Sequence, residues 1–195
     1  MLKKIGVLGI CLLMMGCLSP INTTPKNNYV LNTVPPSNTV EYERSKVLLV
    51  SIPRMSAVMD NNNMVYLDGQ HRIGYFSQNR WAAKPNAMLF SLLLTTLEQQ
   101  GGFKAVVAAP YYGGKSDLRL DVVNFSVVQD FTVHPSLVAV KMDVQLSDMK
   151  TQTVLRTRSI TVNVPAAQNT PAAGVVAANQ AVADSLVQIV HFIHE

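Results

Sequence analysis

Cysteine is nearly missing from this 195-residue chain: Cys11 and Cys17 lie close to the N-terminus and none follows. Everything beyond them must be stable without a disulfide, and a cysteine nucleophile or cysteine-ligated metal is excluded there. Charge is scarce as well, at 14% of residues. No basic stripe of the kind that tracks a phosphate backbone occurs, so nucleic acid is not an expected partner. The chain has no P-loop, no Gly-x-Ser-x-Gly elbow, no His-Glu-x-x-His and no dinucleotide fingerprint. Those absences remove the common routes to catalysis, and no enzyme, cofactor or metal is expected. A hydrophobic content of 48% excludes general disorder.

What is present begins with Met1-Leu2-Lys3-Lys4, then the apolar run Ile5 to Met15, then Gly16-Cys17. A basic start, a short apolar core and a small residue form a secretory signal, and the run is well below the roughly 20 residues that span a bilayer. Met14-Met15-Gly16-Cys17 resembles the bacterial lipobox, with Met in place of the usual Leu. The expectation is that residues 1–16 are removed and Cys17 is acylated, which tethers the protein to a Gram-negative envelope membrane, facing the periplasm. Leu18, in place of Asp, points to the outer membrane by the enteric sorting rule. Without Lys3 and Lys4 the remaining chain carries 14 basic against 12 acidic residues and is nearly neutral.

Residues 17–44 are rich in Asn, Thr, Pro and Ser and read as a lipidated tether, within which Tyr29-Val30-Leu31 is an apolar cluster suited to a short strand or a docking segment. Residues 45–195 suffice for one domain with a real core. Lys46 to Ile52 is a continuous apolar run and predicts a strand buried on both faces. Met64 to Leu67 and Arg72 to Phe76 predict a hairpin around Asp68-Gly69. A helix follows over Asn86 to Gln100, led by Pro85 and ended by Gly101-Gly102. Four strands come next: Lys104 to Ala109, Asp117 to Phe131, Leu137 to Asp148 and Thr153 to Val164. A phase slip in the second places a bulge near Val123-Asn124. The third alternates, with Val138, Val140, Met142, Val144 and Leu146 on one face and Lys141, Asp143, Gln145 and Ser147 on the other. Pro171 to His194 predicts a helix whose apolar stripe runs through Val175, Val176, Asn179, Val182, Ala183, Leu186, Ile189, Val190 and Ile193. The expected fold is α+β, a largely antiparallel sheet with two helices packed on one face.

Few side chains could carry chemistry. His191 and His194 have helical ligand spacing but sit in a last turn, where a cation suits the helix dipole. Asp117, Arg119 and Asp121 form a charged ladder on one strand face, and Arg54 and Arg72 could meet anionic head groups. Trp81, after Arg80, either plugs the hairpin-to-helix corner or anchors a partner, so Arg80 and Trp81 are the candidate partner-binding residues.

Tyr29-Val30-Leu31, Val47-Leu48-Leu49-Val50 leading to Ile52-Pro53, the hairpin Val65-Tyr66 to Tyr75-Phe76, and Arg80-Trp81-Ala82 before an apolar helix together resemble the ABC-type transport auxiliary lipoproteins, the PqiC group. That family often has Glu-Pro after Trp-Ala, where this chain has Ala83-Lys84-Pro85. The resemblance implies a non-catalytic auxiliary subunit that docks the periplasmic component of a lipid-transporting ABC system to the membrane. The implied partners are an MCE-domain substrate-binding protein, an ABC permease and its ATPase. The alternative is a lipoprotein that regulates or assembles another envelope complex, such as a cell-wall synthase. The oligomeric state is left open, a homo-oligomer included.

Overall fold

The computed structural model describes residues 25–36, 45–100, 102–110 and 113–195. The signal, Cys17 and the rest of the tether lie outside the described residues. Eight strands and two helices follow in the order β1 (Asn27–Tyr29), β2 (Val47–Val50), β3 (Asn63–Leu67), β4 (Ile73–Trp81), α1 (Pro85–Gln100), β5 (Ala105–Ala108), β6 (Leu118–Asp130), β7 (Leu137–Asp148), β8 (Thr153–Pro165) and α2 (Pro171–His194), counted among the described residues.

Strand β6 organises the sheet because it is long enough to serve several partners along one edge. Its first residues pair with β2 (Leu48 beside Leu118) and its last with β3 (Val65 beside Val128), both parallel. Between them Arg54 continues the ladder, its N–H donating to Val122 O and its carbonyl accepting from Phe125 N. The other edge of β6 pairs with β7, and β7 with β8, both antiparallel. Beyond β2 lies parallel β5, and beyond β3 lie antiparallel β4 and then parallel β1. The sheet is therefore mixed, which corrects the expectation of a largely antiparallel one. Alternation within a strand reports which face is buried but not which way the neighbouring strand runs. The parallel pairs join segments far apart in sequence, and only the β3–β4 and β6–β7–β8 hairpin connections were readable locally.

The bulge expected near Val123-Asn124 is present. The β6–β7 register shifts between Val123 and Ser126, and Asn124 takes φ 55°. The extra residue lets Phe125 re-enter the core fully buried, in phase with Val127.

Both helices feed one core. Leu89, Leu93 and Leu97 of α1 and Val182, Leu186 and Ile189 of α2 cluster with the inward residues of β6 and β7, from Leu120 and Phe125 to Val140 and Val144. Thr170 caps α2, its hydroxyl accepting from Ala173 N at 3.2 Å, and Pro171 occupies the first turn, where its missing N–H costs nothing. The helix passes a length-and-hydropathy test for a membrane span, yet two-thirds of that window is buried inside the domain, as befits a core helix. Its contact face keeps Val182, Ala183, Leu186, Ile189, Val190 and Ile193 of the expected stripe and is wider than it: Ala177, Ala178, Ala181 and Phe192 are buried as well, whereas Val176 near the start is 72% exposed. Small alanines let the helix sit close to the sheet. At Gly174 any added Cβ would lie 2.1 Å from Gln129 Oε1.

Part of the segment read as tether belongs to the fold. Besides the β1–β4 pairing, Ala82 N donates to Tyr29 O at 2.7 Å, and Leu31 is 4% exposed. Further along, Gln100 Nε2 donates to Pro35 O at 3.0 Å. The cluster Tyr29-Val30-Leu31 is thus a strand end followed by a core plug.

Candidate docking surface

Arg80 and Trp81, adjacent at the end of β4, point opposite ways, as strand geometry requires. Trp81 is only 3% exposed and lines the space under the α2 N-terminus with Met64, Phe76, Val127 and Ala178. It is the corner plug, and no part of it is presented as an anchor in this conformation. Arg80 is exposed and its Nε donates to Asn28 Oδ1 at 2.8 Å, which ties β1 to β4 while leaving the guanidinium edge at the surface.

A broader surface lies on the sheet face away from the core. There β6, β7 and β8 present Arg119, Asp121, Lys141, Asp143, Gln145 and Ser159, interleaved with the buried residues of the opposite face. The register puts Asp143 beside Ser159, and the bulge swings Asn124 towards it. The Ser159 hydroxyl and the Asn124 amide donate to Asp143 at 2.5 and 2.7 Å. These bonds, the Ser159 one foremost, hold the Asp143 carboxyl below the usual carboxylate range. Arg119 bonds Asp121 at 2.8 Å and Ser51 Oγ at 3.0 Å. Arg119 and Asp121, with Arg54, Gln145, Ser147 and Gln152, line an open polar cleft of about 490 Å³. The face thus carries fixed charges of both signs on a rigid ladder, suited to a polar protein surface.

Other sequence candidates serve the fold. Asp117 accepts from Val47 N at 2.8 Å and so fixes the start of β2; it is not paired with Asp121. Arg72 is held by Asp68 at 2.6 Å across the hairpin turn. His194 stacks on Phe103 at 6.0 Å, His191 is exposed, and among the described residues no group of three or more His, Cys, Asp or Glu could hold a metal. Two arginines on the inward face of β8 close the far end of α2. Arg156 donates to Phe192 O at 3.2 Å, and Arg158 pairs with Glu195 while lying over the Phe192 ring.

Sequence reasoning missed the role of Asn179, the single polar residue in the apolar stripe it assigned to α2. Its Oδ1 accepts from Asn32 N at 2.8 Å, Thr33 N at 3.2 Å and Thr33 Oγ1 at 3.1 Å. Its Nδ2 donates to Val30 O at 3.0 Å and, within the helix, to Val175 O at 3.1 Å. A polar interruption of an apolar stripe was the available signal.

The fold matches solved structures closely. A crystal structure of a Xanthomonas campestris protein of the DUF330 family superposes with a TM-score of 0.77 at 20% identity, covering 84% of this chain and 92% of that one. A second crystal structure, of an uncharacterized protein, gives 0.67 at 17% identity, covering 87% and 99%. A comparison with curated proteins finds no match. The family model described as the ABC-type transport auxiliary lipoprotein component matches residues 29–190, from the β1 end through most of α2. With a match that runs from the last residue of β1 through seven further strands, the first helix and most of the second, the chain belongs to the ABC-type transport auxiliary lipoprotein family.

Proposed function

We propose that this protein is a non-catalytic subunit of an MCE-type ABC lipid transport system, anchored through Cys17 in the outer membrane and facing the periplasm. It docks the system's MCE-domain substrate-binding protein to that membrane, while the permease and its ATPase supply the transport work. Membership of the auxiliary family supports association with an ABC system. The observation that carries the docking reading is the sheet face bearing Arg119, Lys141, Asp143 and Gln145, charged and ordered, opposite a core already filled by both helices. Interfaces of this kind gain register and specificity from charge complementarity more than raw affinity.

The test is affinity purification of the full-length protein from solubilised native membranes. Recovery of an MCE-domain protein with its permease is expected. Recovery of a different envelope complex, such as a cell-wall synthase, with no MCE protein would refute the assignment.

A further inference from the structure

Residues 27–36 are bound to the domain as a peptide is bound by a receptor. Three backbone groups, Val30 O, Asn32 N and Thr33 N, bond one side chain, Asn179, whose oxygen also takes the Thr33 hydroxyl. Asn is a modest helix former, and this one sits mid-helix where its stripe is otherwise apolar. Its bonding capacity is spent almost wholly on the strap. Leu31 at one end and Pro35 at the other are buried, the latter under the Gln100 amide, so the strap crosses both helices.

We infer that this strap, clamped by Asn179, sets how far the domain stands from its membrane and which corner faces it. The inference rests on the reading of Cys17 as the lipid anchor. With the strap closed, nine residues (18–26) separate Cys17 from β1; with it open, 29 residues (18–46) separate Cys17 from β2. At about 3.5 Å per residue those lengths reach at most about 30 Å and about 100 Å. The closed strap therefore keeps the β1–β4 corner, with Lys26 and Arg80 exposed on it, within about 30 Å of the bilayer surface. The partner this surface faces is the bilayer that holds the protein's own anchor. The β8 edge lies at the opposite side of the sheet, which leaves the polar face free for a protein arriving from the periplasm.

The full-length protein, purified from membranes and reconstituted in phosphatidylethanolamine/phosphatidylglycerol vesicles, allows a direct test. A donor dye is placed on Ser77→Cys, an exposed β4 position next to the strap's entry, and acceptor dyes on the lipids. Amide exchange at Asn32 and Thr33 is read on the same samples. Asn179→Ala should speed that exchange at least tenfold and lengthen the donor–membrane distance, since the covalent path from Cys17 is then no longer stopped at the strap. A twenty-residue Gly/Ser insertion after Thr24, which leaves the clamp intact, should lengthen the distance equally with exchange unchanged. Unaltered exchange in Asn179→Ala would overturn the clamp. Faster exchange with an unaltered distance, or an insertion without effect, would overturn the control of height. If Cys17 itself takes the dye and the protein fails to float with vesicles, the anchor reading fails separately, and the exchange data still decide the clamp.

Discussion

The two faces of β7 obey one pattern and do opposite jobs. Val138, Val140, Met142, Val144 and Leu146 are each at most 2% exposed and meet α2, whereas Lys141, Asp143 and Gln145 on the reverse meet no helix. Burial makes the first face intolerant of change. The second contributes little to stability: Asp143 is held by hydrogen bonds, and the ion pair beside it on β6, Arg119–Asp121, lies at the surface, where such pairs are worth about 0–1 kcal/mol. Its arrangement is nonetheless ordered by the bulge at Asn124 and the bonds to Asp143, and that order is what the proposed docking role uses.

That contrast breaks most sharply at Leu186, 1% exposed in the middle of α2. Leu186→Asp puts an unpaired charge in a dry site and should cost on the order of 5 kcal/mol, enough to abolish cooperative thermal unfolding. Trp81→Ala comes next, with a loss of about 3–5 kcal/mol in denaturant titration, because the ring is part of the core. A Trp81→Ala protein as stable as wild type would place the ring outside the core. Gly174→Ala, forced against Gln129, should lose about 1–3 kcal/mol by the same measurement.

On the open face the effects shrink. Asp143 has a lowered carboxyl pKa in the folded protein, so its contribution is present above the unfolded value and is lost as pH falls through the folded one. Replacing it with Asn should leave neutral-pH melting nearly unchanged and remove a small part of the stability lost on acidification below the ordinary carboxylate range. A melting temperature that drops by many degrees at neutral pH would make Asp143 a core determinant and erase the difference between the faces.

The same contrast explains what the sequence made legible. Strands β6, β7 and β8 and both helices could be placed to within a residue or so, because one-sided burial writes period 2 and period 3.6 directly into the apolar residues. The bulge was readable because it interrupts that period. Strand β4 extends to Trp81 through Ser77-Gln78-Asn79-Arg80, a polar run without an apolar signal that is held by pairing with β1. Parallel pairing left no local trace, and the mixed sheet was missed for that reason. Of the corner pair, the plug role of Trp81 was the weighed alternative that the structure realises; the open face was legible as a polar stripe, but its bulge-directed bonds were not. The Asn179 clamp joins residues about 150 positions apart, beyond any window of pattern reading.

The central claim is that the polar sheet face docks an MCE-domain protein, and the most direct measurement is the affinity of that partner for charge-reversed Lys141→Glu and Asp143→Lys proteins matched in melting temperature to wild type. Each substitution should weaken binding at least tenfold, with a steeper loss at low salt. Undiminished affinity in both stable variants would contradict it.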